Sequence, residues 1–89
     1  MKQQELNKTY LLTSDLSLST TLSLLQCPIE RIDRTTPRKS IFVFKRTKKL
    51  NELVDAYYRD ELRISPQAYF NQLRAIKARL YANEEGQTW

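Results

Sequence analysis

Hydrophobic residues in this chain follow two spacings, and the shorter one marks β-strands. Three short segments that contain β-branched or aromatic residues predict strands, at residues 8–14, 29–34 and 40–46. The last carries the clearest signal, because Ile41, Phe42, Val43 and Phe44 follow one another. Alternation places Ile41 and Val43 on one face and Phe42 and Phe44 on the other. Only one pair can face a single helical layer, so the other is covered by the chain's ends, by a partner or by nothing.

The longer spacing, three to four residues, predicts helices. Leu18, Leu22 and Leu25 define the first helix, which Ser14 or Asp15 caps and the Cys27-Pro28 pair ends. A second helix over 48–59 begins after a Thr47 cap and has a stripe of four residues, Leu50, Leu53, Val54 and Tyr57.

The third helix has the cleanest pattern. Ser65 is its predicted cap and Pro66 its first residue, a pairing that suits the unbonded N–H groups of a helix start. Its apolar stripe consists of Tyr69, Leu73, Ile76 and Leu80, with Arg74, Lys77 and Tyr81 on an adjacent face.

These elements predict an α+β fold in the order β-α-β-β-α-α, with a small antiparallel sheet of about three strands and three helices packed on it. We expect one domain over 8–82, a flexible N-terminus at 1–7 and a flexible tail at 83–89 that includes an exposed Trp89. One hydrophobic core should combine either strand pair with nine helical residues: Leu22, Leu25, Leu50, Leu53, Val54, Tyr69, Leu73, Ile76 and Leu80.

Composition narrows the possible chemistry. The chain has one cysteine, no histidine and one glycine, so it lacks an internal disulfide, zinc-finger spacing, a histidine base and a glycine-rich phosphate loop. We expect Cys27 to be a buried structural thiol. Glu52 and Asp55 should form ion pairs with Lys48, Lys49 or Arg59 rather than bind a metal. The sequence therefore predicts a protein that is not an enzyme and needs no cofactor.

No segment suggests export or membrane insertion. The N-terminus is polar where a signal peptide has its apolar run, and no apolar stretch is long enough to span a bilayer. We expect a cytoplasmic protein.

Charge is concentrated in one segment. Residues 31–49 hold eight basic residues and one acid, a net charge of +7, while the other seventy residues hold seven basic and nine acidic residues, a net charge of −2. A local block of this kind is typical of a surface that binds an anionic partner. The alternative is that these cations keep an edge strand soluble.

Several motifs together resemble a known family. The segment YLLTSDLSLSTTLSLL resembles the opening of a family of short, uncharacterised bacterial, archaeal and phage proteins known only as a domain of unknown function. In that family a strand with an F-x-F core follows, here Phe42-Val43-Phe44. The family closes on spaced residues that here correspond to Tyr58, Leu62, Phe70, Leu73, Arg74, Lys77, Leu80 and Tyr81. The resemblance covers residues 10–81 and implies a shared fold without any catalytic residue. Such proteins often have glycine at the end of the first helix, where this chain has Cys27-Pro28.

Two functional hypotheses follow. The first is a nucleic-acid-binding accessory protein, for DNA or RNA, that contacts phosphates through a basic hairpin and a helix start. Its predicted contacts are Arg34, Arg38, Lys39, Lys45, Arg46, Lys48, Lys49, Arg74 and Lys77, and Arg79 is a further candidate. Phe42 and Phe44 are expected in the core rather than stacked on bases. The second is a protein-interaction module, a subunit or inhibitor, that docks by its sheet face or by exposed tyrosines at 57, 58 and 81.

Overall fold

The computed structural model describes the backbone of residues 8–36 and 39–83 and the side chains of residues 8–34 and 39–81. The predicted flexible N-terminus, Arg38 and Trp89 lie outside the described residues. Three strands and three helices follow one another in the predicted order: β1 (Tyr10–Thr13), α1 (Leu16–Leu24), β2 (Ile29–Thr36), β3 (Lys39–Lys45), α2 (Lys48–Tyr58) and α3 (Pro66–Asn83). The predicted α+β fold is confirmed, and α3 runs to Asn83, one residue into the predicted tail.

The three strands form one sheet in the order β1-β3-β2, and β3 is antiparallel to both neighbours. The two outer strands are therefore parallel to each other, and α1 connects them past the central strand. Across the sheet, Val43 lies opposite Leu12 on one side and Arg31 on the other. A register shift between Ile29 and Arg31 marks a bulge in β2. The central strand is thus the one that carries the four hydrophobic residues.

The structure answers which face of β3 packs on the helices. Phe42 and Phe44 are 2% and 0% exposed and belong to the core cluster. All three helices contribute buried residues to that cluster: Leu18 and Leu22 of α1, Leu50 of α2 and Ile76 of α3. Ile41 and Val43 point to the opposite face, which we call the helix-free face. Val43 is nevertheless buried, between its cross-strand neighbours Leu12 and Arg31.

The predicted core was partly wrong. Leu25, Tyr69 and Leu73 are half-buried and lie outside the core cluster, whereas Leu11 and Ile29 of the outer strands lie within it. Length explains the error at Tyr69. Helix α3 has eighteen residues and α1 has only nine, and the hydrogen bond from Gln72 to Ser23 already lies near the end of α1.

Helix α1 is buried on nearly all sides, which explains its Leu-Ser alternation. Its residues 18–22 are all buried, and the helix contacts both α2 and α3. Its hydroxyl groups serve these contacts: Tyr57 donates to Ser17 Oγ at 2.8 Å, and Gln72 donates to Ser23 Oγ at 2.7 Å. Tyr57 is therefore half-buried, and its prediction as an exposed anchor was wrong.

The three predicted helix starts are confirmed. The side chains of Asp15, Thr47 and Ser65 accept hydrogen bonds from backbone N–H groups three residues later, at 3.1, 3.0 and 3.2 Å. Such caps satisfy donors that have no partner within the helix.

Two helix ends share one backbone geometry. Gln26 after α1 and Asp60 after α2 have positive φ angles of 74° and 59°. Hydrogen bonds from Cys27 N–H to Leu22 O at 2.9 Å and from Glu61 N–H to Ala56 O at 2.9 Å close both ends as Schellman motifs. Position 26 is thus one that favours glycine.

Candidate nucleic-acid interface

The basic segment of the sequence becomes two separate clusters in the structure. Lys39 begins β3 and Lys45 ends it, so about 20 Å separates them at roughly 3.3 Å per residue. We call Arg34 and Lys39 the hairpin cluster. The residues at the other end of β3 form the helix-start cluster: Lys45, Arg46, Lys48 and Lys49. The sequence analysis had assigned the basic contacts to a hairpin and to a helix start, and the seven-residue strand β3 separates these two groups.

Within the helix-start cluster, Arg46 is fixed by the fold and the lysines project outward. The Arg46 N–H donates to Thr9 O at 2.9 Å, and its guanidinium donates to Asn51 Oδ1 at 2.7 Å. Lys45, Lys48 and Lys49 are exposed. Within the described residues, none of these three lysines forms an ion pair. Three ammonium groups therefore surround a rigid arginine at the point where β3 passes into α2.

The expected ion pairs of Glu52 and Asp55 are not found among the described residues. Arg59 instead pairs with Glu61 at 3.1 Å. This short-range pair forms beyond the C-terminal end of α2, where the chain turns at Asp60. No carboxylate from the described part of the chain therefore forms an ion pair with the lysines at the start of α2.

The start of α2 has an unfavourable charge arrangement. Lys48 and Lys49 occupy its first turn, which contains no acidic residue. Unpaired N–H groups give a helix N-terminus a partial positive charge, which repels ammonium groups and attracts anions. An anion bound here would relieve the repulsion and accept hydrogen bonds at the same time.

A cavity of ≈ 400 Å³ opens beside this cluster. Its walls include Cys27 and Glu30 on one side and Lys45, Thr47 and Lys49 on the other. The Cys27 side chain is buried, which confirms the prediction. Burial raises the pKa of its thiol, an effect that the nearby Lys49 ammonium opposes. Cys27 therefore stays protonated at neutral pH and is a poor nucleophile there.

The hairpin cluster lies beside α3. Arg34 donates to Ser40 Oγ at 3.1 Å, so its guanidinium is held on the helix side of the sheet. Lys39 is exposed and lines a cavity of ≈ 390 Å³ together with Leu80 of α3. The C-terminal half of α3 and the hairpin end of the sheet therefore meet at one surface.

The helix-free face links the two clusters. Lys39 and Lys45 are odd-numbered positions of β3, like Ile41 and Val43, and lie at the two ends of this face, where Lys39 also borders the cavity beside α3. Arg31 lies on the same face but pairs with Asp33 at 2.9 Å. This face thus has an apolar centre, in which Val43 is buried and Ile41 half-buried, with an exposed lysine at each end.

Helix α3 supplies the last two predicted contacts. Arg74 and Lys77 are both exposed, and they lie between two exposed aromatic residues, Phe70 and Tyr81. The guanidinium carbon of Arg74 lies 5.7 Å from the centroid of the Phe70 ring. We call these four residues the α3 stripe. Arg79 is also exposed but projects from a different side of the helix.

Comparison with known proteins identifies the family. A sequence model of the family Domain of unknown function (DUF5659) matches residues 7–82. The chain belongs to this family. The DUF5659 match includes every strand, both basic clusters and the α3 stripe, and it confirms the resemblance at the level of the family. No curated protein and no solved structure matches the chain.

The DUF5659 fold brings one residue to the candidate surface that the sequence analysis had not assigned a function. Phe70 is 55% exposed on the same side of α3 as Arg74. Its position four residues before Arg74 was the available signal, since such residues are neighbours on a helix.

The described residues offer neither a metal site nor a membrane-spanning helix. No group of three histidine, cysteine, aspartate or glutamate side chains there could hold a metal ion. In the same part of the chain, no helix is long and apolar enough to cross a bilayer.

Proposed function

We propose that this DUF5659 protein is a non-catalytic, cytoplasmic nucleic-acid-binding accessory protein, of the bacterial, archaeal or phage origin that its resemblance implies. The helix-start cluster carries the proposal. It places Lys45, Lys48 and Lys49 around the start of α2, and no described carboxylate pairs with any of them.

Two physical effects favour a phosphate at this position. The unpaired N–H groups at the start of α2 can donate to phosphate oxygens, and the macrodipole of the helix favours negative charge there. The three exposed lysines add long-range attraction, and each neutralised phosphate releases condensed counterions into solution. Phosphate binding would therefore remove the charge repulsion within the first turn of α2.

The remaining predicted contacts extend this surface. A nucleic-acid backbone that follows β3 along the helix-free face would meet Lys45 at one end and Lys39 at the other. If the axis of a duplex runs parallel to β3, the distance of about 20 Å between them spans about six phosphates of one strand, at one phosphate per 3.4 Å of axis. Arg34 belongs to the hairpin cluster at the Lys39 end, and a contact by Arg38, which lies outside the described residues, stays a prediction. DNA and RNA offer this backbone alike, so both remain possible partners.

The experiment is a salt titration of binding to random-sequence duplex DNA and duplex RNA, followed by fluorescence anisotropy. The double variant K48A/K49A should weaken binding to all sequences equally. It should also lower the slope of log K against log salt by roughly 0.9 for each DNA phosphate that the variant no longer neutralises. Its stability should change by less than about 0.5 kcal/mol, since both side chains are exposed.

The matched control is R59A/R63A, which removes the same charge from exposed positions beyond the other end of α2. It should retain nearly all binding. Equal weakening by both double variants would mean that only net charge matters, and the helix-start assignment would be wrong. Absence of binding by the unmodified protein at low salt would contradict the proposed function itself.

A second candidate is a protein-interaction module, supported by one exposed tyrosine. Tyr58 is 62% exposed and meets the Tyr57 ring edge-on, with 5.2 Å between centroids. Both rings line a cavity of ≈ 370 Å³ together with Leu62 and Ile64. Tyrosines beside apolar pockets are frequent anchors of protein interfaces. Docking on the helix-free face is the other form of this candidate. Y58A should leave nucleic-acid binding unchanged but weaken a protein interface formed around Tyr58.

A further inference from the structure

The α3 stripe combines aromatic and basic groups in one line. Phe70, Arg74, Lys77 and Tyr81 are spaced by four, three and four residues, so a helix of 3.6 residues per turn places them on one narrow face. All four side chains are exposed, with Phe70 at 55% and Tyr81 at 50%. This face is distinct from the one that carries the buried Ile76.

We propose that the α3 stripe binds single-stranded nucleic acid, with bases stacked on Phe70 and Tyr81 and phosphates held by Arg74 and Lys77. This inference rests on the proposed function and names the form of nucleic acid that this second surface selects. Binding of single strands without sequence preference combines stacking platforms with a positive surface in this way.

The arrangement of charge supports a nucleic acid over a protein helix. A partner helix packed along the stripe would cover its two central positions, which are Arg74 and Lys77. Neither forms an ion pair within the described residues, so a partner helix that supplied no matching carboxylates would bury two unneutralised cations. A strand of nucleic acid supplies one phosphate per nucleotide and keeps the contacts wet. Pairing with a second copy of α3 would bring like charges together.

The aromatic residues support a single strand over a duplex. In a duplex the faces of the bases are stacked on each other, and only their edges are accessible in the grooves. The bases of a single strand can turn outward and stack on an exposed ring. Phe70 remains more than half exposed although the Arg74 guanidinium lies 5.7 Å from its centroid, which leaves ring surface for a base.

The distances fit a short segment of one strand. Tyr81 lies eleven positions after Phe70, which corresponds to about 16 Å along a helix at 1.5 Å per residue. Both cations lie within this interval. The stripe can therefore engage several consecutive nucleotides, with base contacts at its ends and phosphate contacts between them.

The experiment measures anisotropy with labelled single-stranded oligo-dT and oligo-U of twenty nucleotides and with a twenty-base-pair duplex. F70A and Y81A should each weaken single-strand binding roughly 5- to 100-fold, in line with the removal of one stacked base. Duplex binding, which the proposed function assigns to the helix-start cluster, should remain unchanged.

Two control variants separate stacking from other causes. F70L keeps an apolar side chain but removes the aromatic ring, so it should weaken single-strand binding nearly as much as F70A. Y58A removes an equally exposed tyrosine outside the stripe and should have no effect on this binding. Circular dichroism spectra of all variants should match that of the unmodified protein, since these side chains are exposed.

The outcomes distinguish this inference from the proposed function. If K48A/K49A weakens duplex binding while F70A and Y81A leave single-strand binding intact, the α3 stripe assignment is wrong and the proposed function stands. Equal weakening of duplex and single-strand binding by F70A would also overturn it, because it would indicate a surface without strand preference. If the protein binds neither probe at low salt, both proposals fall together.

Discussion

The two aromatic pairs of this protein, Phe42 with Phe44 on β3 and Phe70 with Tyr81 on α3, have similar neighbours in sequence and opposite environments. Basic residues accompany both pairs. Yet Phe42 and Phe44 are at most 2% exposed, whereas Phe70 and Tyr81 are at least half exposed. Aromatic residues near cations therefore do not by themselves identify a binding surface. Whether they are buried or available for binding depends on the face of the strand or helix on which they lie.

The difference follows from the partners of each element. β3 has a strand on both sides and all three helices over one face, so its even-numbered side chains are enclosed. α3 packs on α1 along one side only, and the stripe lies away from that contact. We therefore expect the β3 pair to govern stability and the α3 pair to govern binding.

The largest expected effect is that of F44A. Removing a fully buried phenylalanine should cost about 3–5 kcal/mol, because apolar burial is reduced and a cavity remains. Because domains of this size are stable by only about 5–15 kcal/mol, urea denaturation should show a strongly reduced midpoint.

The matched control for F44A is F70A, which removes the same atoms from an exposed site. Its unfolding free energy should change by less than about 0.5 kcal/mol. Comparable destabilisation by both variants would contradict the difference between the two aromatic pairs, since it would mean that Phe70 is packed against other residues.

Element order and helix caps could be predicted from the sequence because both depend on neighbouring residues. Asp15, Thr47 and Ser65 each act on an N–H three positions away, so the sequence contains the whole interaction. The predicted strand at 40–46 likewise assigned the two ends of the basic segment to a hairpin and to a helix start. The position of this strand between β1 and β2 was not predictable in the same way, because it depends on pairing with a segment that is distant in the sequence.

The periodicity of the sequence also could not predict how deeply each residue is buried. A stripe of apolar residues shows which side of a helix faces inward but not the extent of burial at each position, and for this reason the burial of Tyr69 and Leu73 was overestimated. Tyr57 was misassigned because its hydroxyl bonds to Ser17, forty residues earlier. Contacts of that range are set by tertiary packing.

A second, smaller effect tests the same contrast within α3. I76A should cost about 2–5 kcal/mol, because Ile76 lies in the core cluster. L73A, one turn earlier and only half-buried, should cost less, about 1–2 kcal/mol, because less apolar area returns to water. Thermal unfolding of both variants measures the difference. Equal destabilisation would show that the core extends along α3 as the sequence pattern had predicted.

The smallest effect concerns two backbone sites with the same conformation. Q26G should raise stability by about 0.5–1 kcal/mol, because glycine adopts a positive φ angle without steric cost. D60G should gain less, since aspartate tolerates this conformation better than glutamine. A rise in melting temperature of a few degrees for Q26G alone is the expected result. An equal gain at both sites would show that side-chain type has no influence there.

The position of β3 between β1 and β2 also sets an order of folding. β2 and β3 are consecutive in the chain and can form a hairpin after closing a short loop, within microseconds. β1 and β3 are separated in the sequence by α1 and β2. Their pairing must close this longer loop, so it should form later than the hairpin. Substitutions in the hairpin should then mainly slow folding, while those in β1 should mainly accelerate unfolding. The strand that completes the sheet is thus expected to be the first to detach from it.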